Sequence, residues 1–80
     1  MINGDWRTYY SLYGVYRSYR LISGDNCICR IKDCGNTYLG IVFHRYKEDK
    51  IILNDNDLEV LKFFCMVKAI ELGWEIRGKE

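Results

Sequence analysis

The sequence predicts an α+β domain in which an antiparallel sheet of three to five strands is followed by, and packed on, one C-terminal α-helix. Two observations lead to this prediction. Residues 8–54 alternate apolar and polar side chains in short runs separated by turn residues, and residues 56–73 combine helical periodicity with a start and a stop signal. Because 80 residues suffice for one small domain, we assign residues 1–80 to a single domain.

The segment 8–22 opens the predicted sheet. The stretch TYYSLYGVYRSYR within it holds five of the seven tyrosines of the chain. Leu12, Val15 and Tyr19 would share one face of a helix, but Tyr and Val fit a pleated surface better, and Gly14 disfavours a helix. We predict one long strand bent at Gly14 or two short strands, with the tyrosine rings divided between core and surface.

Two turns frame the next predicted strand. Residues 23–26 (SGDN) and 33–36 (DCGN) have the Gly, Asp and Asn composition of tight turns. The segment between them alternates cleanly, which is typical of a half-buried strand. The residues expected to face the core are Cys27, Cys29 and Ile31, and those expected on the opposite side are Arg30 and Lys32.

Further strands complete the predicted sheet. Residues 37–46 are expected to form a long strand, and residues 50–54 a short one built on Ile51-Ile52-Leu53. On the long strand, one side carries Leu39, Ile41 and Phe43, and the other carries Tyr38 and Val42. Residues 74–77 (WEIR) are the candidate for a short last strand. The predicted order is therefore four strands, a helix and an optional terminal strand.

The helix is predicted over residues 57–72. Asn56 is the expected N-cap, and Glu59 at the third helical position would complete a capping box. Gly73 is the expected stop in a left-handed conformation, and Trp74 occupies the position of the hydrophobic contact in a Schellman motif. These signals give the helix a defined start and a defined end.

The predicted helix carries two apolar stripes, whereas a helix on a single sheet needs only one. The first stripe consists of Val60, Phe63, Phe64, Val67 and Ile70. The second consists of Leu58, Leu61, Cys65, Ala69 and Leu72. We expect the second stripe to be covered either by a bent sheet with Trp6 and Trp74 or by a partner surface such as a second copy of the chain.

Charge and hydropathy narrow the class of protein. The net charge of +1 argues against a strongly basic nucleic-acid binder, although residues 1–50 are mildly basic and residues 51–80 mildly acidic. The N-terminal residues do not have the pattern of a signal peptide, and no apolar run approaches the ~18 residues of a membrane span. We therefore expect a cytoplasmic protein with reduced cysteines and no membrane partner.

The polar residues do not form a convincing catalytic or metal-binding set. Cys27, Cys29 and Cys34 have the spacing C-x-C-x4-C, whereas zinc sites favour two to four intervening residues. Cys29 or Cys34 as a nucleophile with His44 as its base would require hydrogen-bond contact, which sequence does not establish. We expect no metal, no cofactor and no enzymatic activity.

The tyrosines and arginines of residues 8–20 are the best candidates for a contact surface. Tyr and Arg are enriched at protein interfaces, and together they also stack bases and neutralise phosphates. The residues predicted to contact a protein partner are Tyr10, Tyr13, Tyr16, Arg17, Tyr19 and Arg20. The alternative is a small nucleic-acid-binding regulator that uses the same residues together with Arg30, Lys32 and Arg45.

In size, in soluble single-domain form and in composition, the whole chain resembles small phage-encoded anti-defence proteins of the anti-CRISPR type. No sequence motif takes part in this resemblance. It implies a stoichiometric inhibitor that docks on a nucleic-acid-handling complex in the host bacterial cytoplasm. Such inhibitors often mimic nucleic acid with acidic surfaces, whereas residues 1–50 are basic here. The implied mode of action is therefore direct contact with a partner protein or ribonucleoprotein.

Overall fold

The computed structural model describes residues 4–11 and 17–76, which form one antiparallel sheet and one helix. The elements are β1 (Asp5–Tyr10), β2 (Arg17–Ser23), β3 (Asn26–Asp33), β4 (Tyr38–Phe43), β5 (Lys50–Asp55) and α1 (Leu58–Glu71). The strands follow the order β1-β2-β3-β4-β5, and α1 packs over β3, β4 and β5. This confirms the predicted α+β class. Within the described residues, no helix has the length and apolar character needed to cross a membrane.

Several predicted strand boundaries change in the structure. The segment 8–22 contributes to two separate strands, β1 and β2, so the alternative of one long strand is wrong. The strand predicted over 37–46 ends at Phe43, because the chain bends through residues 44–49, where the His44 N–H donates to the Asp49 carbonyl at 3.0 Å. Residues 74–76 form no strand, so the structure does not support the predicted terminal strand over the part that it describes.

A β-bulge in β3 changes which cysteine faces the core. Leu21 lies opposite Cys29 whereas Ile22 lies opposite Cys27, so Ile28 is an extra residue without a partner on β2. Ile28 and Cys29 are both fully buried. Because a bulge interrupts the alternation of side chains, Cys27 moves to the face away from the helix. The expectation that Cys27 and Cys29 share one face is therefore wrong.

The helix begins one residue later and ends one residue earlier than the predicted range 57–72. Asp57, not Asn56, is the N-cap, and its carboxylate accepts the N–H groups of Glu59 at 2.9 Å and Val60 at 3.2 Å. No capping box forms with this cap, because Glu59 then sits at the second helical position. Gly73 has a φ of 99°, in the left-handed region that glycine favours.

The C-terminal end of α1 is a Schellman motif. The N–H of Trp74 donates to the carbonyl of Ala69 at 3.0 Å, and the N–H of Gly73 donates to the carbonyl of Ile70 at 3.1 Å. The indole Nε1 of Trp74 also donates to the Phe43 carbonyl at 2.7 Å, which ties the end of the helix to β4. The predicted stop and its motif are confirmed.

The helix turns its stripe of smaller residues toward the sheet. Leu61, Cys65 and Ala69 are fully buried, while the aromatic stripe is 38–55% exposed. The close approach depends on Gly40 of β4, since a Cβ there would lie 2.8 Å from the Sγ of Cys65. We define the aromatic stripe as Val60, Phe63, Phe64, Val67 and Ile70. The stripe that lacks a cover is therefore the opposite of the one predicted.

The part of the inner sheet face that lies beside the helix is covered by a long side chain. Lys62 reaches from α1 over β1 and β2, where its ammonium group lies 5.6 Å from the ring centre of Trp6 and 5.2 Å from that of Tyr19. Helix and side chain together occupy one face of the sheet. The opposite face carries no element of the described chain.

Candidate functional site

The face of the sheet opposite the helix carries a row of three arginines. The register places Arg7 of β1 opposite Arg20 of β2, and Arg20 opposite Arg30 of β3. Directly opposed residues of an antiparallel pair point to the same face. Their sequence neighbours Leu21 and Cys29 are buried under the helix, so the three guanidinium groups form one row on the open face.

Two further cations lie toward one end of the sheet: Lys32 shares the face of the row, and Arg17 belongs to the alternate set that contains Tyr19. Arg17 is the first residue of β2, and Lys32 lies opposite Ser18 near the end of β3. A shallow groove of about 430 Å³ runs across this region between β1 and the turn after β3. We call it the basic groove and define it by Tyr9, Tyr10, Arg17, Arg20, Arg30 and Lys32.

Tyrosine rings orient two of the guanidinium groups. The Arg20 guanidinium lies 4.4 Å from the ring centre of Tyr9, and that of Arg17 lies 5.7 Å from the ring centre of Tyr10. Cation–π contacts of this kind hold an arginine side chain in place without neutralising its charge. The groove therefore presents positioned positive charges beside exposed aromatic rings.

Most of these charges have no acidic partner. Arg7 forms an ion pair with Asp5 at 2.9 Å, and this hydrogen bond, with the charge of Asp5, raises the Arg7 pKa. Within the described part of the chain, no carboxylate pairs with Arg17, Arg20, Arg30 or Lys32. Like charges that lie directly opposite each other destabilise a sheet. The row of arginines therefore lowers the stability of this part of the sheet.

Two guanidinium groups also carry an unused hydrogen-bond donor. The Nε atoms of Arg20 and Arg30 are buried, and neither has a hydrogen-bond partner in the described structure. A buried donor without an acceptor costs about 1–3 kcal/mol. An anion that reached this row would supply the missing negative charge and could accept hydrogen bonds from the guanidinium groups.

The outward-facing cysteine lies beside this row. Burial raises the pKa of the Cys27 thiol, and the positive charges of Arg20 and Arg30 act in the opposite direction. Because the thiol is held in the neutral form, it adds no negative charge to the row. Cys27 is half-buried here, and its Sγ approaches the Cys29 carbonyl at 3.5 Å.

The same sheet face becomes apolar on the next two strands. Arg30 of β3 lies opposite Ile41 of β4, and Ile41 lies opposite Ile52 of β5. The row that begins with three arginines therefore ends with two isoleucines, and the Ile52 side chain is 57% exposed. We define the apolar half of this face as Leu39, Ile41, Phe43 and Ile52.

The structure brings together five of the residues predicted from the sequence. Tyr10, Arg17 and Arg20 come from the predicted protein-contact set, and Arg30 and Lys32 from the predicted nucleic-acid set. They come from three strands. The pairing places Arg20, Arg30 and Lys32 on the open face, whereas the Tyr10–Arg17 pair belongs to the alternate set and lines the groove from the end of β1 and the start of β2. Part of the protein-contact set and two of the three residues added for nucleic acid therefore line a single groove.

Two predicted contact residues lie elsewhere. Tyr19 is only 7% exposed and belongs to the core, because its neighbours Ser18 and Arg20 take the outer face. Arg45 lies in the bend after β4, 5.5 Å from the ring centre of Tyr46 and 5.5 Å from that of Trp74. Tyr19 therefore supports the fold, whereas Arg45 is exposed and packs against the end of the helix outside the basic groove, so its predicted contact stays a prediction.

Tyr13 and Tyr16 lie outside the described residues, so their predicted role stays a prediction. Sequence reasoning misses two residues of the open face, Arg7 and Tyr9. The signal that could have found them is the alternation of β1, which places every second side chain on the same face as Arg7. This alternation is visible only if the strand begins before residue 8, whereas the predicted strand began at residue 8.

The alternative catalytic and metal readings gain no support from the geometry. Cys34 lies in the turn before β4, and His44 follows the last residue of that six-residue strand, so the two side chains lie at opposite ends of β4. Contact with Cys65 and burial raise the pKa of Cys29, which keeps this thiol neutral. Among the described residues, no group of three or more metal-ligating side chains is placed to hold an ion.

Comparison with known proteins identifies no relative: no protein-family model, no curated protein and no solved structure matches the chain. The resemblance to anti-CRISPR inhibitors in size and composition therefore stays a prediction. The function has to be argued from the open sheet face and the helix.

Proposed function

We propose that this chain is a non-enzymatic binding protein whose basic groove binds nucleic acid through phosphate groups. The observation that supports the proposal is the row Arg7–Arg20–Arg30, in which like charges lie opposite each other and two Nε donors are unused. A row of this kind destabilises the isolated domain, and a phosphate chain would supply the missing negative charge. Arginine suits this task, because its planar donor fork binds phosphate at two points.

Several properties favour a chain of phosphates over a single small anion. The four cations of the groove are spread along two strands, β2 and β3, whereas one anion would contact two or three of them. Tyr9 and Tyr10 lie along the same groove and hold the guanidinium groups of Arg20 and Arg17 in place beside it. The overall charge of +1 gives little long-range attraction, so binding would depend on these local contacts.

The salt dependence of binding tests this proposal. Fluorescence anisotropy with labelled oligonucleotides over a salt series should give a log–log slope between about −2.8 and −3.6, because each of the four cations without an ion pair contributes about −0.7 to −0.9. Arg20→Gln and Arg30→Gln should each reduce the slope by roughly one such contribution. Absence of binding at low salt would exclude the proposal.

A matched control separates the groove from general charge. Lys47 is exposed in the bend after β4, away from the basic groove, and forms no ion pair within the described residues. Lys47→Gln removes the same unit of charge as Arg30→Gln. If both substitutions weaken binding equally, the groove is not the binding surface.

The aromatic stripe of the helix supports a second proposal, in which the chain binds a protein. In this proposal it acts as a stoichiometric inhibitor of a nucleic-acid-handling complex of the CRISPR type. Five apolar side chains at 38–55% exposure form a continuous surface of the kind that marks protein interaction sites. The stripe lies on the side of the molecule opposite the basic groove, so one domain could contact the protein and the nucleic acid of such a complex together.

Titration of purified CRISPR effector complexes tests the second proposal. Nuclease activity should fall in proportion to added protein and reach its minimum at molar equivalence. Phe63→Gln should relieve the inhibition, whereas Glu48→Gln in the bend after β4 should not. A lack of inhibition across these complexes would refute it, and light scattering would show whether a second copy of the chain, and not a partner, covers the stripe.

We place this activity in the cytoplasm, and in the host cytoplasm if a phage encodes the chain. All four cysteines, Cys27, Cys29, Cys34 and Cys65, are free thiols, which suits a reducing compartment. Detection of the native protein in a soluble cytoplasmic fraction, and not in secreted or membrane fractions, tests the location.

A further inference from the structure

We infer that the open sheet face takes single-stranded nucleic acid, with phosphates on the basic groove and bases on the apolar half. The inference rests on the proposed binding of nucleic acid and goes beyond it by naming the strandedness of the ligand. It comes from a change of chemistry within one cross-strand row, in which Arg30 lies directly opposite Ile41 and Ile41 opposite Ile52.

The boundary between the two halves has the dimensions of one nucleic-acid strand. Neighbouring β-strands lie about 4.8 Å apart, so β4 and β5 together give an apolar surface roughly 10 Å wide beside the cations of β3. A single strand that runs along β3 would place its phosphates over Arg20, Arg30 and Lys32. Its bases would extend over Ile41 and toward Ile52.

The apolar half lacks the groups that would repel a nucleic acid. The residues of β4 and β5 that alternate onto this face, besides the apolar ones, are Lys50 and Asn54, whereas Asp55 lies opposite Tyr38 in the alternate set. β4 and β5 therefore present no carboxylate on the open face. Phe43 adds an aromatic ring there, and stacking of a base on such a ring is worth about 1–3 kcal/mol.

Duplex fits this surface less well. Its bases are paired inside the helix and its outer surface consists of phosphates and sugars, so a duplex seated on the groove would place charged phosphates against Ile41 and Ile52. It would also leave the exposed side chain of Ile52 without an apolar contact. Apolar contact with unpaired bases is available only from a single strand.

Three oligonucleotide probes test the inference: a single strand, the duplex of the same sequence, and an abasic strand of the same length. The abasic strand keeps the phosphates and removes the bases. The single strand should bind more tightly than both other probes. Arg30→Gln should weaken binding of all three, because each of them offers phosphates.

The decisive variant is Ile52→Thr, which keeps a β-branched side chain on the strand and removes apolar contact. It should weaken single-strand binding by about fourfold, the factor that corresponds to loss of one buried methylene, and leave abasic binding and the salt slope unchanged. Val67→Thr is the matched control, since Val67 is also β-branched and is 41% exposed on the helix.

Each outcome bears on one of the two proposals. If the duplex or the abasic strand binds as tightly as the single strand, or if Ile52→Thr has no more effect than Val67→Thr, the inference is overturned while nucleic-acid binding stands. If no oligonucleotide binds at low salt, the proposed function fails and this inference fails with it.

Discussion

Replacement of Gly40 by alanine tests how closely the helix approaches the sheet. A Cβ at this position would lie 2.8 Å from the Sγ of Cys65 and 3.3 Å from the Cδ1 of Leu61, whereas ordinary contact lies between 3.4 and 4 Å. Cys65 and Leu61 are fully buried on the central part of α1, so neither side chain lies next to solvent into which it could turn. The helix or the strand would have to shift.

Whether Gly40→Ala raises or lowers the free energy of unfolding distinguishes steric contact from the backbone preference of alanine over glycine. In a strand without such a neighbour, alanine would be favoured over glycine by roughly 0.5–1 kcal/mol. Overpacking of a dense core typically costs about 1–3 kcal/mol. We therefore expect Gly40→Ala to lower the free energy of unfolding by about 1–2 kcal/mol, and each kcal/mol corresponds to roughly 4–8 °C in Tm for a domain of this size.

Urea unfolding of a double-mutant cycle with Cys65→Ala measures the contact directly. Removal of the Sγ opens the space that the new methyl group needs, so Gly40→Ala should cost much less, or stabilise, in the Cys65→Ala background. Unchanged m values would show that the denatured state is not the source of the effect. The reasoning is refuted if Gly40→Ala stabilises the wild type or costs the same in both backgrounds.

Three further predictions concern the cap, the arginine row and the buried thiol. Asp57→Ala should cost about 0.5–2 kcal/mol in urea unfolding, because two helix N–H groups lose their acceptor; an unchanged midpoint would contradict the assigned cap. Arg30→Gln should raise the free energy of unfolding at low salt by about 0.2–1 kcal/mol through relief of like-charge opposition, while it weakens oligonucleotide binding; a loss of stability would argue against repulsion. Contact with Cys65 and burial raise the Cys29 pKa above its ordinary value of 9.0. As the pH rises, the unfolded chain therefore loses this proton before the folded chain does. The free energy of unfolding is unaffected below about pH 9 and falls above it by up to about 1.4 kcal/mol per pH unit. Cys29→Ala should flatten this decline, and an unchanged decline in the variant would show that Cys29 is not its source.

The combined properties of the arginine row and the aromatic stripe suggest a domain with two independent contact surfaces. The row lies on the open sheet face, whereas the stripe lies on the outside of the helix that covers the other face. Substitutions in one surface should therefore leave the other functional, because about two layers of secondary structure separate them. This independence allows the two proposed functions to be tested separately.

Local patterns in the sequence were sufficient for the elements themselves. The end of the helix could be predicted from Gly73, because a glycine that follows an amphipathic helical pattern commonly adopts the left-handed conformation of a Schellman motif. The turn at residues 23–26 follows in the same way from its composition, and it connects β2 to β3 as expected. These features depend on residues that are close together in the chain, which is why a linear pattern can predict them.

Details that depend on contacts between distant parts of the chain could not be predicted from local patterns. The bulge at Ile28 exists only relative to the register of β2, so alternation along β3 alone placed Cys27 on the wrong face. The choice between the helix stripes depends on how closely α1 can approach Gly40, and the smaller side chains of Cys65 and Ala69 permit that approach. The periodicity of the sequence shows both stripes but does not show which of them contacts the sheet.

The sequence by itself determined an α+β domain, the limits of its helix to within one residue and the presence of exposed Tyr and Arg side chains. Only the tertiary structure decided that Arg7, Arg20 and Arg30 stand in one row and that this row continues into Ile41 and Ile52. The physical reason is that hydrogen-bonded pairing joins strands far apart in the chain. The composition of a sheet face is therefore a property of the register, which no single strand specifies.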